Sequence, residues 1–257
     1  MLIKRFLYYS YARLLSREVK RGTLPVHIGL ILDGNRRYAR EMGYDDLALG
    51  HKEGAKKLDD VLKWCVDLGI RIVTIWVLST DNVQRDKDEV ASLLKIIEEK
   101  IEDLSKNPVI RKYGFQIRAF GNLEALPDEL KEAIRESEIS TRDYSDHILN
   151  IAIGYGGREE IVDAVKKAIK EKKATSIEKL ADSICMDDIT SHLYMRDIPD
   201  PDLIIRTSGE IRLSGFLLWQ SAYSEFYFCD ALWPAFRKID FLRAIRSYQH
   251  RNRRFGR

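Results

Sequence analysis

VHIGLILDGNRR, residues 26–37, passes from an apolar run into a polar turn within one residue. The run 26–32 has the β-branched content and the length of a buried strand, and the turn begins at Asp33. Gly34 lets the backbone approach a ligand closely, and a helix beginning near Asn35 would direct its free N–H groups at an anion. The carboxylate and the two guanidinium groups that follow therefore predict a diphosphate and Mg²⁺ site at the end of a buried strand.

A second polar turn with the same chemistry lies far along the chain. RTSGEIRLS, residues 206–214, follows the apolar stretch 202–205. Arg206 ends a predicted strand, where an unpaired guanidinium group would be costly, so we expect it to have an anionic partner. Two anion-binding turns imply two phosphorylated ligands, or one large ligand.

Strand and helix patterns alternate along the chain. Six short apolar runs are predicted to be strands: 26–32, 71–78, 115–120, 148–153, 203–206 and 225–229. Helical spacing separates them at 51–68, 87–106, 127–139 and from Gly156-Gly157 to about residue 172. The pattern predicts a single α/β domain with a mostly parallel six-stranded sheet flanked by helices.

The polar clusters follow the predicted strands. They come after the first, second, fourth and fifth strands, as Asp33 to Arg37, Ser79 to Asn82 with Arg85, Gly154 to Arg158, and Arg206 to Ser214. The carboxyl ends of parallel strands share one edge of a sheet, and ligands bind beyond that edge. We therefore expect these clusters to form one site.

Composition excludes several classes of protein. The chain has 257 residues, 45% hydrophobic and 32% charged, which is ordinary for a globular domain. A net charge of +3, with no aromatic platform for bases, gives no support to a nucleic-acid partner. Three separated cysteines indicate neither a disulfide framework nor a zinc site, and no segment reads as a membrane span or secretory signal. We expect a cytoplasmic protein.

The N-terminal segment, residues 1–22, is basic and is predicted to stand apart from a catalytic domain of residues 23–257. It has six Lys and Arg residues against one acid, and residues 3–15 interleave basic residues with leucines and aromatic residues. An amphipathic helix on an anionic membrane surface has this composition. A helix packed on the protein's own body is at least as consistent with it.

Several site residues have simpler interpretations. Asp33 could cap the following helix, and spacing alone does not distinguish capping from a functional role. Glu225 could be an edge carboxylate or a second metal or water ligand, and His51 could end a helix or contact phosphate. Ser79 and Asn82 are turn formers by type.

No P-loop, dinucleotide-binding glycine motif, nucleophile elbow or paired aspartate-rich diphosphate motif is present.

The ordered blocks of this sequence resemble the cis-prenyltransferase family, which includes undecaprenyl and dehydrodolichyl diphosphate synthases. The resemblance extends over residues 25–256 and is carried by HIGLILDGNRRYA (27–39), GH (50–51), LSTDNVQR (78–85), NIAIGYGGR (150–158), DLIIRTSGEIRLSGFLLWQSAYSEFYF (202–228) and LWP (232–234).

The resemblance implies roles for individual residues. Asp33 would hold Mg²⁺ on the diphosphate, and Glu225 would complete the metal environment. The allylic diphosphate would be bound by Gly34, Asn35, Arg36, Arg37, Tyr38 and His51. The junction of the two substrates would be lined by Ser79, Thr80, Asp81, Asn82, Val83 and Arg85, with Asn82 aiding proton removal. Isopentenyl diphosphate would be held by Arg206, Arg212, Leu213 and Ser214.

The resemblance also implies an activity. Successive isopentenyl diphosphate units would be added in cis to farnesyl or geranylgeranyl diphosphate, giving a long polyprenyl diphosphate for a glycosyl carrier lipid. The growing chain would need an apolar tunnel, with helices 51–68 and 87–106 and the strands beneath them as its walls. A non-catalytic partner subunit of a heteromeric prenyltransferase is the alternative, although such subunits typically lack the aspartate found here at Asp33.

Departures from the bacterial pattern favour an archaeal-type member. Bacterial members have Gly at the position of Arg36, Trp at that of Tyr38, Phe at that of Leu78 and Trp at that of Val83. The C-terminal Arg254-Phe255-Gly256 resembles the R-x-G tail that reaches the partner subunit's site in family dimers. A homodimer is therefore expected.

Overall fold

A computed structural model describes residues 2–84, 87–172 and 176–251 of the chain. A six-stranded sheet lies at the centre of this part of the molecule. Every neighbouring pair is parallel, and the strand order is β3-β4-β2-β1-β5-β6. The strands are β1 His27–Ile31, β2 Ile72–Ser79, β3 Phe115–Phe120, β4 His147–Tyr155, β5 Leu203–Arg206 and β6 Glu225–Phe228. Each corresponds to one of the six predicted strands, so the predicted α/β fold is confirmed.

Helices cover both faces of the sheet. They are α1 Leu2–Val19, α2 Asn35–Glu41, α3 Ala48–Leu68, α4 Lys87–Lys106, α5 Pro108–Lys112, α6 Asp128–Thr141, α7 Gly157–Glu171, α8 Ile177–Ser183, α9 Met186–Thr190 and α10 Lys238–His250. The predicted helix 87–106 coincides with α4, and α3 ends where Gly69 adopts the left-handed conformation with φ 74°. Pro127 lies just outside α6, not in its first turn as predicted.

The core lies on both sides of the sheet. Every residue of β1 is buried, which explains its continuous apolar run. The larger cluster packs the sheet against α3, α4, α6 and α10, and a smaller cluster around Tyr155 and Phe216 covers the opposite face. The central strands are thus fixed from both sides, and so are the turns at their carboxyl ends.

The N-terminal helix α1 packs against α10. Leu15 and Val19 are fully buried and belong to the larger core cluster, so the inner face of α1 is part of the body of the protein. Leu7, Tyr11 and Leu14, spaced along another face, are 59%, 37% and 63% exposed. None of the helices in the described ranges combines the length and the apolar character needed to cross a bilayer.

Candidate functional site

Asp33 follows β1 and lies at the middle of the polar edge, the edge of the sheet where the carboxyl ends of the strands meet. One carboxylate oxygen, Oδ1, accepts the Gly34 N–H at 2.8 Å, and the other, Oδ2, accepts a hydrogen bond from Arg206 Nη2 at 2.8 Å. The carboxylate is 39% exposed, whereas the Arg206 side chain is 6% exposed. The N-cap of α2 is Gly34, and Asp33 does not act as the capping side chain. The two polar turns predicted from sequence therefore meet in a direct ion pair.

The backbone of Asp33 is fixed by a residue that sequence reasoning missed. The buried Thr207 hydroxyl donates to Asp33 O at 2.7 Å and accepts from Asp33 N at 3.0 Å. Trp233 N also donates to Asp33 O, at 3.0 Å. Because the hydroxyl bonds both to the backbone N–H and to the C=O, it holds the two turns together independently of the ion pair.

Glycines let α2 approach α3 closely. A Cβ at Gly50 would lie 2.2 Å from Asn35 O, and one at Gly54 would lie 2.2 Å from Asn35 Oδ1. Gly34 itself has φ 104°, a conformation that favours glycine, and leads into the first residue of α2. The position of the Asp33 turn thus depends on small residues in α3 as well as on its own sequence.

The 206–214 turn has a strained, well-anchored backbone. Ser208 and Ser214 have φ of 77° and 52°, values that are uncommon outside glycine. Arg206 Nη1 donates to Ser214 Oγ at 2.9 Å, and Gly157 N at the start of α7 donates to Gly215 O at 2.9 Å. Within the described residues, Arg206 Nε is buried without a hydrogen-bond partner. A buried guanidinium N–H of this kind calls for a hydrogen-bond acceptor.

A buried carboxylate also missed by sequence reasoning anchors the segment behind this turn. Glu160, 1% exposed, accepts hydrogen bonds from Tyr155 Oη at 2.6 Å, Tyr194 N at 2.9 Å and Gln220 Nε2 at 3.1 Å. Burial and the neighbouring carboxylate raise the pKa of Tyr155, so its hydroxyl stays protonated and donates. No spacing in the sequence distinguishes Glu160 from an ordinary first-turn glutamate.

A cavity of about 500 Å³ opens at this edge of the sheet. Its polar mouth contains Asp33 and, among the described residues, five arginines: Arg36, Arg37, Arg40, Arg206 and Arg212. Its remaining walls are mostly apolar and include Leu58 on α3, Ile75 on β2 and, on α4, Leu93, Ile97, Ile101 and Leu104. The four α4 residues span about 16 Å of helix. The walls are those predicted from sequence, α3, α4 and the strands beneath them.

Two arginines at the mouth share one acid. Arg37 Nη2 lies 3.4 Å from Glu210 Oε1, and Arg212 Nη1 donates to Glu210 Oε2. Arg37 Nη1 also donates to Ser208 O at 3.0 Å. Arg37 and Arg212 are about half exposed or more, so both guanidinium groups can turn from Glu210 to an anionic ligand.

Arg36 has a different partner. Its Nη1 bonds both carboxylate oxygens of Glu89, at 3.1 and 3.2 Å, and so connects α2 to the first turn of α4. Gly34, Asn35, His51, Ser79, Asp81 and Asn82 line the same cavity. Ser79 Oγ accepts the Asn82 N–H at 3.0 Å, which closes the turn after β2.

Three predicted site residues are placed away from the cavity walls. Thr80 Oγ1 donates to Glu159 Oε1 at 3.4 Å, on α7. Tyr38 packs edge-to-face on Tyr44, and Leu213 packs against the core cluster around Tyr155.

Glu225 does not reach Asp33 within one chain. It pairs with Leu203 at the first position of β5, whereas Arg206 at the last position of β5 pairs with Ile31. Three residues of strand, about 10 Å, therefore separate Glu225 from the polar edge. Its carboxylate instead accepts from Arg251 Nη1 at 2.7 Å. The expectation that it completes the metal environment at Asp33 is not met in this chain.

The remaining predicted site residues lie outside what the structure describes. Arg85 and the tail 254–256 are not among the described residues, and the side chain of Val83 is likewise excluded.

The donor set at Asp33 fits a magnesium ion held jointly with a substrate. Within the described residues, no three His, Cys, Asp or Glu side chains form a metal-binding group. Mg²⁺ is commonly held by one or two carboxylates, substrate phosphates and waters instead of an all-protein set of ligands. A single, partly exposed carboxylate facing a cationic cavity mouth meets that requirement. The mouth thus has the cationic groups, and the cavity the apolar walls, that two diphosphates and a hydrocarbon chain would require.

The chain matches a family model and known relatives over most of its length. Residues 31–256 match the prenyltransferase family model described as undecaprenyl diphosphate synthase. The chain is 52% identical to an isoprenyl transferase of Thermus thermophilus, covering 100% of this chain and 98% of the relative. It is 49% identical to the tritrans,polycis-undecaprenyl-diphosphate synthase (geranylgeranyl-diphosphate specific) of Methanopyrus kandleri, covering 98% and 92%.

Two solved structures are similar over most of the chain. Lavandulyl diphosphate synthase from Lavandula x intermedia, in complex with dimethylallyl diphosphate, superposes with a TM-score of 0.81 at 34% identity, covering 91% of this chain and 99% of that one. A probable undecaprenyl diphosphate synthase from Campylobacter jejuni gives 0.75 at 28% identity, covering 91% and 100%.

Proposed function

The chain belongs to the undecaprenyl diphosphate synthase family of cis-prenyltransferases, and from this premise we propose that it extends farnesyl or geranylgeranyl diphosphate into a long polyprenyl diphosphate that serves as a glycosyl carrier lipid. It is a prenyltransferase. The observation that carries the finer proposal is the Asp33–Arg206 ion pair at the mouth of an apolar cavity. A site of that shape holds charged heads and a hydrocarbon tail together.

The Asp33 turn is the proposed site of the allylic diphosphate. Gly34 and Asn35 bring backbone close to the ligand, and Arg36 and Arg37 provide cations once Glu89 and Glu210 are displaced. Guanidinium groups stabilise the charge that develops on a departing diphosphate. Asp33 would hold Mg²⁺, which when bound neutralises diphosphate charge and assists its departure. His51 lines the same mouth and is the further proposed contact.

The 206–214 turn is the proposed site of isopentenyl diphosphate. Arg206 Nε is an unused buried donor, and Arg212 and Ser214 stand at the exposed side of the turn. Arg206 is already oriented by Asp33 and Ser214, so little ordering is needed when the diphosphate binds. The ion pair holds this turn beside the allylic site, which brings the double bond of one substrate next to the allylic carbon of the other.

Loss of a proton completes each addition. Asn82 is the side chain we propose to aid this step, since it lines the cavity with Ser79 in the turn after β2, the strand next to β1. An amide is a poor base, so we assign it the role of orienting the proton toward an acceptor, with a diphosphate oxygen as that acceptor.

The activity is tested with Mg²⁺, labelled isopentenyl diphosphate and either farnesyl or geranylgeranyl diphosphate. We expect labelled long-chain product, lost with EDTA and reduced at least about 10²-fold by Asp33→Asn, because charge stabilisation at the diphosphate is removed. Lys52→Ala, at an exposed position of α3, is the matched control and should retain activity. Absence of long-chain product with both starters would indicate a non-catalytic subunit and overturn the proposal.

We also propose a homodimer in which residues 254–256 reach the partner's site. The resemblance of this tail to the family motif supports it, as does the position of β6 at an edge of the sheet. Mixing inactive Asp33→Asn subunits with inactive tail-deleted subunits should restore part of the activity. Sedimentation as a monomer, or no restoration, would count against the dimer.

A cytoplasmic location with peripheral membrane contact through α1 completes the proposal. The exposed apolar face of α1 lies beside the exposed basic residues Arg13 and Arg17, which suits an anionic membrane surface. A membrane next to the enzyme would receive a product too apolar for water. Cell fractionation that recovers the protein outside the cytoplasm would contradict the location.

A further inference from the structure

One wall of the apolar cavity contains a charged residue. Lys100 lines the cavity between apolar neighbours on the same face of α4, one turn after Ile96 and Ile97 and one turn before Leu104. Its side chain is only 13% exposed. Burial of an ammonium group is costly unless it is paired, so the position calls for a physical reason.

The ammonium group of Lys100 bonds across to α3. Nζ lies 2.8 and 2.9 Å from the two carboxylate oxygens of Asp59, whose side chain is 27% exposed. Asn107 Nδ2 donates to the same Asp59 at 3.2 Å, and Asp103 accepts from Lys100 Nζ at 3.0 Å. We call the Lys100–Asp59 pair the clasp. It differs from Lys95–Glu98 on the same helix, which is local to α4 and has a 60% exposed lysine.

The clasp joins the two helical walls of the cavity. α3 and α4 both start at the polar edge, and Leu58 and Ile97 face the space between them and the sheet. Lys100 forms part of the wall, and its ammonium group bonds α4 to Asp59 on α3. A hydrocarbon chain that left the cavity between the two helices would have to separate this mostly buried ion pair. The separation is costly, because hydrocarbon cannot bond to either charged group.

We propose that the clasp limits product length by preventing the growing chain from passing between α3 and α4. The inference rests on the proposed function and assigns a specificity role to Lys100 and Asp59 that is separate from the diphosphate site. With the clasp intact, the chain ends in the part of the cavity lined by Ile101 and Leu104. With the clasp broken, the chain extends between the helices and elongation continues.

Product length in clasp variants tests the inference. Asp59→Asn keeps the shape and removes the charge, and Lys100→Met keeps most of the wall and removes the ammonium group. We expect both to shift the product distribution upward by one or more five-carbon units, with the rate of the first condensation within about twofold of the parent. Lys100→Arg should restore the parental length, and Lys95→Met is the matched control. Parental length in both Asp59→Asn and Lys100→Met would overturn the inference.

A second measurement does not need activity. Amide hydrogen exchange at residues 55–62 and 97–104 should be faster in Asp59→Asn than in the parent or in Lys95→Met, because the clasp no longer holds α3 to α4. If no product forms with either starter, the proposed function is refuted, and hydrogen exchange still tests the clasp separately. Unchanged exchange in Asp59→Asn would show that the clasp does not hold α3 to α4.

Discussion

Asp33 and Arg206 define the site at the scale of single residues. The arginine is buried, the aspartate is half-buried, and Thr207 fixes the backbone that carries them. Each of the two residues satisfies the charge of the other until substrates bind, so the site is stable without ligand and already shaped for anions. Arg206 could exchange its hydrogen bonds to Asp33 and Ser214 for bonds to a diphosphate with little movement of its side chain.

The buried His27 predicts how stability depends on pH. Burial lowers the pKa of His27 from 6.5 to about 4, although the bond to Pro199 O and the charge of Asp202 oppose the shift. Nδ1 must donate to the Pro199 carbonyl, so Nε2 accepts from the Thr74 hydroxyl and the ring is neutral. Between pH 6.5 and 4 the unfolded chain binds more protons than the folded one, and stability falls as pH falls.

The expected change is about 2 kcal/mol in the free energy of unfolding between pH 7.5 and pH 5 from this residue alone. Urea titrations of the wild-type protein and His27→Asn at pH 7.5 and pH 5 measure this change in unfolding free energy. The other titratable groups are the same in both proteins, so the difference between the two proteins reports on His27. The variant should lose less stability than the wild type on acidification. Equal losses would show that His27 titrates normally in the folded state.

Residue identities were predictable where charge and position agreed. Asp33 and Arg206 stand at strand ends, Arg37 lies in the first turn of α2, and each of the three lines the cavity. The separation of Glu225 from Asp33 within one chain was not predictable, because a residue's position along the strand direction of the sheet depends on the pairing register, which the sequence does not specify. Thr207 and Glu160 were missed, because their importance comes from hydrogen bonds made only in the folded protein.

At the scale of elements, the packing of α2 on α3 sets the geometry of the first turn. Gly50 and Gly54 stand on one face of α3 and face Asn35. Trp233 Nε1 donates to Gly54 O at 2.8 Å and covers the same contact. Small residues are therefore required at these two positions of α3 because α2 packs directly against them.

Gly50→Ala tests this packing. Its Cβ would lie 2.2 Å from a backbone oxygen of Asn35, so α2 must move; we expect a loss of about 1–3 kcal/mol in unfolding free energy. Displacing the Asp33 turn should lower kcat about 10²-fold as well. Lys52→Ala, on the exposed side of the same helix, should change neither quantity. A Gly50→Ala protein with wild-type stability and kcat would show that α2 is not held as described.

The outer face of α1 predicts membrane association. Replacing Leu7 and Leu14 by serine should weaken sedimentation with vesicles containing anionic lipid at least about tenfold, because two exposed leucines are removed from the proposed contact. The matched control replaces Val162 and Ile169, exposed on α7, by serine. Equal vesicle binding by both double variants, or no binding by the parent, would exclude α1 as a membrane contact.

Long amphipathic elements were predictable and short ones were not. The boundaries of α4 follow from its periodic Leu and Ile residues, and Gly69 marks the end of α3. The short helices α5, α8 and α9 have too few turns for a periodic signal. α10 was not predicted, although Ile239, Leu242 and Ile245 are spaced for one buried face.

The whole molecule combines a rigid parallel sheet with one polar edge and one apolar cavity. The sheet aligns the carboxyl ends of β1, β2 and β5, and the helices that cross back from that edge, α3 and α4, enclose the hydrocarbon space. Alternation of strands and helices predicted this arrangement. The size of the cavity and the ion pair between its walls depend on packing at the level of side chains, which no motif encodes.

A cocrystal structure with Mg²⁺, isopentenyl diphosphate and a non-hydrolysable allylic thiodiphosphate is the most direct measurement of how the two substrates are held. We predict one diphosphate at Asp33 and Arg37, the other at Arg206, Arg212 and Ser214, and the allylic tail running along the cavity, between the sheet and the wall formed by α3 and α4, toward Leu104. Diphosphates bound away from Asp33 and Arg206, or a tail directed out of the cavity, would contradict the proposed site.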